Sequence, residues 1–428
     1  MTLDNCPRLS DISCLKFPFI LEKDQTDAVN AWLNNNNRGS VIYSTGTGKT
    51  EIAFECARRL AIINNSSFKI LFLVPRIVLI EQNIKRLMKY GIKKNIIGVY
   101  YGERKNVKNI TFSTYQSIVR NFDLLRNANM VILDEVHLIS LTAKKFSSIF
   151  SILTKDPSKA ILGLTATINE DDPKYSEIIT LIPPVKKYMI KEAVTDGRLT
   201  EPRITIRPVR MNSKENDDYQ KISTTIKEIS QKLRSSDPSE IKRLLKKGSY
   251  KSKLASEWFS KVQERKKLLT ETSSKLIEAI SIIKQHPNQR IMIFSETIES
   301  ITKLNEMLTH QNIKSEVIHN KVKAKQRKDI LDNWGTAFHV LLSVHTLEIG
   351  FDIPSVSIAI IISNTQNIHQ LVQRIGRVIR KSPFKTRALI YVVYVEGTKD
   401  RKILKLIESS LNEKANSENK QKKISAFF

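Results

Sequence analysis

The segment STGTGKT at positions 44–50 contains the residue types that bind a polyphosphate. It follows an apolar run and precedes an amphipathic stretch, so the pattern predicts a loop between a strand and a helix. Gly46 and Gly48 allow the backbone to curl until its N–H groups point inward at an anion, and Thr45 and Thr47 complete the loop. The sequence therefore predicts a phosphate-binding loop at this position.

The last two residues of the loop indicate a nucleotide with a bound cation. The Lys49 ammonium can neutralise β- and γ-phosphate oxygens, and the Thr50 hydroxyl is a ligand for Mg²⁺. Tyr43 stands where the strict pattern has its first glycine, so the match is incomplete. Taken alone, the segment is also consistent with a short Gly/Thr turn at the start of a helix.

Two adjacent carboxylates supply the rest of a site for nucleotide hydrolysis. They lie in the segment LDEVH at 133–137, directly after an apolar run. At the end of a strand, Asp134 can hold Mg²⁺, and Glu135 can orient or deprotonate the attacking water. A surface turn with two acids is the alternative, but the preceding residues MVIL are typical of a buried strand.

Strand-like runs alternate with helical patterns in two parts of the chain. In the first part the runs begin at positions 40, 69, 95, 109, 130 and 161, and in the second at 290, 315, 339, 356 and 387. Helical patterns at 50–64 and 77–90 separate several runs of the first part. This alternation predicts the α/β fold class, with two tandem domains built on parallel sheets.

The domain boundaries follow from changes in composition. The Pro-marked segment LIPPVKKY at 181–188 is expected to leave the first domain, which gives domains at 1–185 and 186–408. The Lys- and Ser-rich stretch at about 211–285 lacks strand signals and predicts a helical insertion in the second domain. Residues 409–428 begin with a polar stretch of low complexity, so we expect a disordered C-terminal tail.

The charge balance favours a polyanionic partner. The 428 residues include 70 Lys and Arg against 43 Asp and Glu, a formal net charge of +27. This favours nucleic acid first and an anionic membrane second. No apolar run approaches the roughly 18 residues of a spanning helix, so we expect no membrane insertion. Cys6, Cys14 and Cys56 fit neither a disulfide framework nor a zinc site, which predicts free thiols in an intracellular protein, cytoplasmic or nuclear.

On these residues the chain resembles the superfamily 2 DExH-type helicases. After the phosphate loop, segments similar to the family's motifs follow in the family's order: FLVPRIVLIEQ, TFSTYQSI, DEVH, LTAT, RIMIFSETIES, TLEIGFDIP and QLVQRIGRVIR. The last segment, at 370–380, is the most specific because it has the spacing QRxGRxxR. The DEVH, GFDIP and QRIGRVIR strings look more like the UvsW/XPB-like DNA translocases than like DEAD-box RNA helicases.

The resemblance implies two RecA-like domains that share one ATP site. Gln373, Arg377 and Arg380 of the second domain would reach the nucleotide, and the two arginines share a helix face because they lie three positions apart. Both would act as arginine fingers on the γ-phosphate. The alternative is that one of them makes a structural salt bridge. Gly350 and Asp352 match the GxD element that approaches the ribose side of the nucleotide.

Three side chains of the first domain also receive roles from the resemblance. Gln25 corresponds to the glutamine that reads adenine, since an amide can pair with both the exocyclic amine and a ring nitrogen. Thr165 and Thr167 would couple hydrolysis to the grip on nucleic acid. The alternatives are a Gln on a helix surface and an ordinary turn after a strand.

The nucleic acid is expected to cross both domains along their motifs. Arg76, Thr114 and Thr297 are the predicted contacts, with side chains that address phosphates rather than bases. Binding should therefore be independent of sequence and should weaken with salt, with a log–log slope of about −0.7 to −0.9 per neutralised phosphate. The helical segment at 211–285 is interpreted as a basic clamp on nucleic acid or, alternatively, as a solvated linker.

The last eight residues, QKKISAFF, resemble the sliding-clamp (PCNA) interacting peptide. Gln421, Ile424, Phe427 and Phe428 match the pattern Gln-x-x-aliphatic-x-x-aromatic-aromatic. Burying each apolar side chain would contribute about 1.5–3 kcal/mol before ordering costs. Docking of the two rings on the protein's own surface is the alternative.

Together these features predict an enzyme that uses ATP and Mg²⁺ to move on or remodel DNA. We expect a DNA helicase or translocase in replication, repair or recombination, with a sliding clamp of the PCNA type as partner. The alternatives are an ATPase that remodels RNA or transcription complexes, a non-catalytic scaffold, and the motor subunit of a nuclease or restriction complex. Stimulation of ATP hydrolysis by DNA rather than RNA would separate the first of these from the prediction.

Overall fold

The computed structural model divides the chain into two compact units. It describes residues 12–64, 68–139, 144–168, 170, 172–245, 250–344, 356–362, 375–376, 378–381 and 387–411. Contacts within the chain place the end of the first unit at Leu199 and the start of the second at Thr200. The boundary predicted between 185 and 186 lies instead inside a strand, because residues Pro184–Tyr188 pair with the sheet of the first unit.

The first unit is an α/β layer structure around one sheet. Its strands are β1 Arg38–Tyr43, β2 Ile70–Val74, β3 Ile97–Tyr101, β4 Arg104–Asn106, β5 Ile110–Thr114, β6 Met130–Asp134, β7 Ala160–Thr165 and β8 Pro184–Tyr188. Its helices are α1 Lys23–Asn34, α2 Lys49–Ile63, α3 Ile77–Lys89, α4 Tyr115–Ile118, α5 Asp123–Asn127, α6 Lys144–Thr154, α7 Ser176–Leu181 and α8 Ile190–Thr195. The order in the sheet is β4-β3-β5-β2-β6-β7-β1-β8, with parallel pairing except between β3 and β4.

The core of the first unit explains why its strands read as continuous apolar runs. All five residues of β2 and of β5 are buried, as expected for strands covered by helices on both faces. One large cluster joins strand residues such as Leu73, Leu133 and Ile161 to helix residues such as Ile149 and Ile178. The predicted parallel sheet of the first domain is confirmed.

The second unit contains another parallel sheet. Its strands are β9 Pro202–Val209, β10 Ile291–Ser295, β11 Ser315–Ile318, β12 Val340–Val344, β13 Ile358–Ile361 and β14 Ala388–Val395. Its helices are α9 Ser213–Leu233, α10 Pro238–Leu244, α11 Tyr250–Glu271, α12 Ser273–Gln285, α13 Ile298–His310, α14 Ala324–Asn333 and α15 Lys402–Leu411. The order in the sheet is β11-β12-β10-β13-β14-β9, and every pairing within it is parallel.

The predicted helical insertion is shorter than expected. Helices α9, α10 and α11 have a small core of their own that includes Ile226, Ile241 and Trp258. Helix α12 instead packs Leu276 and Ile283 into the cluster that contains β10, β12 and β13. This helix is therefore a covering helix of the second sheet, because its apolar face needs that sheet for burial.

The structure bears on the predicted cysteines, on the possibility of a membrane-spanning helix and on the predicted tail. Cys56 is a free, buried thiol, whereas Cys14 takes part in a disulfide, so the prediction of free thiols throughout is wrong for Cys14. Within the described ranges, no helix has the length and apolar character needed to cross a bilayer. The predicted tail begins too early, because residues 409–411 belong to the helix Lys402–Leu411. The rest of the tail, at 412–428 with the predicted clamp peptide, lies outside the described residues.

A fully buried ion pair fastens α12 to the end of the second sheet. Lys275 Nζ lies 2.5 Å from Asp400 Oδ2 with both side chains 0% exposed, and it donates to the carbonyl of Ile362 at 3.2 Å. Asp400 Oδ2 also accepts from the backbone N–H of Val395 at 2.9 Å. Removing one partner would leave the other charge buried without compensation, which is far more costly than losing a surface pair.

Lys275→Met is expected to lower the free energy of unfolding by about 3–5 kcal/mol. The measurement is urea unfolding followed by circular dichroism. Lys261→Met removes the exposed pair with Glu264 and should change stability by at most about 1 kcal/mol. The double variant Lys275→Met/Asp400→Leu should recover much of the loss. Equal effects of Lys275→Met and Lys261→Met would show that the buried pair does not fasten α12.

Candidate ATP site and nucleic-acid contacts

The predicted site residues of the first unit lie along one edge of its sheet. Strands β5, β2, β6, β7 and β1 are parallel neighbours in this order, so their carboxyl ends meet at the same edge. This edge carries, in sheet order, Thr114, Arg76, Asp134, Thr165 and the phosphate loop. Ligands of open α/β sheets bind beyond the carboxyl ends of the strands, so the location fits a nucleotide site.

The phosphate loop has the backbone that its glycines predict. Gly46 and Gly48 have φ angles of 92° and 89°, in the left-handed region that other residues rarely adopt. Helix α2 begins directly after Gly48, so its free N–H groups and positive dipole end face the loop. The Lys49 ammonium donates to the carbonyl of Tyr43 at 2.8 Å, which keeps the charge over the loop. These features fit the phosphates of a nucleotide.

The two carboxylates occupy the end of β6, as predicted. Burial raises the pKa of Asp134 to about 7, and the neighbouring negative charge of Glu135 acts in the same direction. The positive charge of Lys49 lowers this pKa but does not offset the two other effects. A carboxylate that is this poorly compensated favours a cation beside it, which fits Mg²⁺. The backbone also fixes this carboxylate, since the N–H of Glu135 donates to Asp134 Oδ1 at 3.0 Å and the Tyr115 hydroxyl donates to the Asp134 carbonyl at 2.6 Å.

Glu135 has a strained backbone and an unsatisfied side-chain oxygen. Its φ of 50° and ψ of 51° lie in the left-handed region, which costs a non-glycine residue on the order of 1–3 kcal/mol. Its Oε2 is buried and has no hydrogen-bond partner among the described residues. This oxygen lies 3.3 Å from His137 Nδ1. A buried carboxylate oxygen that makes no hydrogen bond can accept a proton from a water, as a general base must.

His137 connects the carboxylates to the predicted coupling threonines. Its Nδ1 lies 3.0 Å from Thr165 Oγ1 and 3.3 Å from Glu135 Oε2. The Thr165 hydroxyl donates to the Thr167 carbonyl at 2.8 Å, so its oxygen is left to accept from a protonated Nδ1. The sequence prediction included Thr165 and Thr167 but missed His137, although it lies in the quoted DEVH string.

Gln25 is located against the phosphate loop and not on a helix surface. Its side chain is 4% exposed. Its Nε2 donates to the carbonyl of Thr47 at 3.1 Å, and its Oε1 accepts from the backbone N–H of Glu22 at 3.0 Å. A Cβ on Gly48 would lie 2.1 Å from this Nε2 and would displace the Gln25 amide, and the φ of 89° at Gly48 further disfavours any other residue. Both ends of the amide thus have protein partners beside the loop.

Arg198 was not predicted as a site residue, although it lies in the segment EAVTDGRLTEP at 192–202. Its Nη1 pairs with Asp24 Oδ1, and its Nη2 donates to the carbonyl of Thr47 at 2.7 Å. The guanidinium carbon lies 5.8 Å from the centre of the Tyr188 ring. Sequence offered no signal for these contacts, because Arg198 and Thr47 are separated by 151 positions.

The three predicted nucleic-acid contacts have different surroundings. Arg76 is exposed and is the N-cap residue of α3, just after the carboxyl end of β2. Thr114 is buried, and its hydroxyl accepts from the N–H of Ser117, which caps α4. Thr297 is the equivalent N-cap of α13 in the second unit, where it accepts from the N–H of Ser300. Arg76 is therefore the most accessible of the three.

Most site residues predicted for the second domain and the tail lie outside the described residues. They are Gln373, Arg377, Gly350 and Asp352, together with Gln421, Ile424, Phe427 and Phe428 of the tail. Arg380 is described, and its side chain is half-buried in the second unit.

Comparison with protein families identifies two matching regions. Residues 19–170 match the family described as type III restriction enzyme, res subunit. Residues 271–382 match the helicase conserved C-terminal domain. The first region contains the phosphate loop, both carboxylates and the threonines predicted to couple hydrolysis to nucleic-acid binding, and the second contains the QRxGRxxR segment.

Relatives with similar sequences carry helicase or translocase names. The DNA 3′-5′ translocase XPB2 of Sulfurisphaera tokodaii is 27% identical over 402 residues, which cover 92% of this chain and 86% of the relative. The DNA 3′-5′ helicase XPB of Mycobacterium tuberculosis is 24% identical over 85% of this chain, which spans only 58% of that protein.

Solved structures with similar folds include two nucleic-acid enzymes. The helicase domain of Hef from Pyrococcus furiosus matches with a TM-score of 0.57 and 18% identity over 90% of this chain and 99% of that domain. The type ISP restriction-modification enzyme LlaBIII, solved bound to DNA, matches with a TM-score of 0.61 and 17% identity over 93% of this chain and 30% of that enzyme. The two α/β units are thus tandem RecA-like domains, as expected.

Proposed function

From its similarity to XPB helicases and translocases, we propose that this chain belongs to the XPB-like group of superfamily 2 helicases and uses ATP hydrolysis to translocate along DNA in the 3′-to-5′ direction. One observation carries the proposal. The phosphate loop and the Asp134–Glu135 pair lie beyond the carboxyl ends of β1 and β6, separated in the sheet only by β7 with its coupling threonine Thr165. The arrangement brings together the groups that ATP hydrolysis requires. It also places Thr165 between them, where it could couple hydrolysis to the binding of nucleic acid.

The first unit supplies the groups that bind and hydrolyse ATP. The loop residues Thr45, Gly46, Thr47 and Gly48 hold the phosphates through backbone N–H groups, and Lys49 balances their charge. Thr50 and Asp134 would hold Mg²⁺, which when bound neutralises charge on the β- and γ-phosphates. Glu135 orients the attacking water and takes its proton. Gln25 remains the proposed reader of adenine.

By family resemblance, we propose that residues of the predicted second domain complete the ATP site. Gln373, Arg377 and Arg380 are proposed to contact the γ-phosphate, and Gly350 and Asp352 to approach the ribose. The guanidinium group suits this role because its forked donors match phosphate oxygens.

The proposed DNA contacts address the phosphate backbone. Arg76, Thr114 and Thr297 stand beyond the carboxyl ends of strands β2, β5 and β10 or at the helix starts that follow them. The net charge of +27 supports a polyanionic substrate. The direction of movement is proposed from the two XPB relatives, which are named as a 3′-5′ translocase and a 3′-5′ helicase.

The proposal is tested by measuring ATP hydrolysis with a panel of nucleic acids of equal length. We expect single-stranded, duplex or branched DNA to stimulate hydrolysis more than RNA does, with a stimulation that decreases steeply as salt is raised. Stronger stimulation by RNA would instead support the remodelling ATPase that was the first alternative. Absence of stimulation by any nucleic acid would refute the proposal.

The C-terminal peptide is proposed to tether the motor to a sliding clamp of the PCNA type. The match of Gln421, Ile424, Phe427 and Phe428 to the clamp-binding pattern supports this. Deletion of 421–428 is expected to abolish binding to the clamp in surface plasmon resonance while DNA-stimulated ATP hydrolysis stays unchanged. A matched control replaces Lys422 and Lys423 with Ala, which leaves the four pattern residues intact. Clamp binding that survives the deletion would refute the tether.

A motor subunit of a restriction complex is the second candidate function. It is favoured by the match of residues 19–170 to the type III restriction family. The chain alone would then hydrolyse ATP without cutting DNA, and a separate nuclease subunit would copurify with it when the neighbouring genes are coexpressed. Copurification of a nuclease would favour this candidate over the clamp-tethered motor.

A further inference from the structure

The orientation of one peptide in the phosphate loop is controlled from outside the loop. The carbonyl of Thr47 accepts from Arg198 Nη2 at 2.7 Å and from Gln25 Nε2 at 3.1 Å. In a trans peptide the carbonyl and the following N–H point in opposite directions, and none of the described peptide bonds is cis. The two donors therefore hold the N–H of Gly48 toward the opposite side, where a phosphate is bound by loops of this kind.

Arg198 is itself held in place on both sides. Its guanidinium pairs with Asp24, and the Asp24 carbonyl accepts from the Tyr43 hydroxyl at 2.7 Å. The ring of Tyr188 lies beside the guanidinium, and the Arg198 side chain is only 17% exposed. A fixed guanidinium fork can serve two acceptors at once, which a lysine ammonium in the same place cannot reproduce.

We propose that Arg198 is a positioning residue for the phosphate loop, which it orients through the Thr47 carbonyl so that the Gly48 N–H faces the β-phosphate of a bound nucleotide. This inference rests on the ATP site of the proposed function. It assigns a role at that site to Arg198, which lies in none of the helicase motif segments. Arg198 lies two positions before Thr200, where the second unit begins.

The expected effect of losing this contact is weaker binding of nucleotides that have a β-phosphate. Arg198→Gln removes the charge and the fork, and should raise the Kd of ADP and the KM for ATP by about 10- to 100-fold. The turnover number at saturating ATP should stay close to that of the unsubstituted protein, because the loop contact is made equally before and in the transition state. Arg198→Lys should retain only part of the affinity, since its ammonium can still donate to the Thr47 carbonyl but cannot serve Asp24 and Thr47 at once as the guanidinium fork does.

The experiment measures binding of fluorescent ADP and steady-state ATP hydrolysis for the full chain and its variants. The matched control is Arg59→Gln, which removes an arginine that pairs with Glu55 and donates to Asn30 in the same unit, away from the loop. Thermal unfolding is recorded for each variant. Arg198→Gln should shift the Kd and the KM, whereas Arg59→Gln should shift only the unfolding temperature.

The outcomes separate this inference from the proposed function. If the unsubstituted chain binds no ADP, both are overturned. If it binds ADP and Arg198→Gln binds it equally well, only the role of Arg198 is overturned, and the same holds if Arg198→Gln changes the unfolding temperature alone. A raised Kd and KM with partial recovery in Arg198→Lys supports the positioning role.

Discussion

Glu135→Gln is expected to lower the rate of ATP hydrolysis by about 10²–10⁴-fold while ATP still binds. The side chain has the same size after the change, so the left-handed backbone at this position and the pocket shape are kept. The amide, however, cannot accept a proton from the attacking water. Its Oε2 is buried, makes no hydrogen bond to the described residues and lies 3.3 Å from His137 Nδ1. The change therefore removes the carboxylate that is proposed to act on water.

The measurement for Glu135→Gln is single-turnover hydrolysis with saturating DNA, combined with fluorescent ATP binding. Glu81→Gln, an exposed acid on α3, is the matched control and should leave both quantities unchanged. Hydrolysis at the unsubstituted rate in Glu135→Gln would reopen the interpretation of the chain as a non-catalytic scaffold.

Arg377→Ala and Arg380→Ala are each expected to lower ATP turnover by about 10³–10⁵-fold. By family resemblance both guanidinium groups balance the charge that develops on the γ-phosphate in the transition state. The loss should therefore appear in the turnover number and much less in the affinity for ATP. Steady-state ATP hydrolysis and nucleotide binding, both with DNA present, measure the two effects.

The control for these arginines is Arg387→Ala, an exposed arginine just before β14. It should leave turnover unchanged. If only one of the two finger variants loses activity and the other mainly loses stability, the second makes the structural salt bridge that was the alternative. Full activity in both would show that the second unit does not supply arginine fingers.

The sequence predicted the parts of the fold and site that depend on local patterns. The strands of both sheets that are covered on two faces read as apolar runs, such as those at 69–74 and 290–295. The glycines of the phosphate loop and the acids after β6 were predicted because each follows a buried strand directly. In these cases the functional residues directly follow a buried strand in the sequence, so their spacing from that strand was sufficient to predict their position at the edge of the sheet.

What the sequence could not show depends on pairing between distant segments. Strand β9 is a half-exposed edge strand with prolines at 202 and 208, and only its register with β14 makes it a strand. The sequence placed the domain boundary inside strand β8, because only the pairing of β8 with β1 shows that this segment belongs to the first sheet. Arg198 was missed because no local pattern connects it to Thr47, and a basic side chain is ordinary on a surface.

The central claim, that ATP hydrolysis is coupled to movement along DNA, is tested most directly by displacement of streptavidin from biotinylated single-stranded DNA. We predict ATP-dependent displacement from the 5′ end, which a motor moving 3′ to 5′ reaches, and no displacement by the Lys49→Ala variant. A chain that hydrolyses ATP in response to DNA but displaces streptavidin from neither end would contradict the claim.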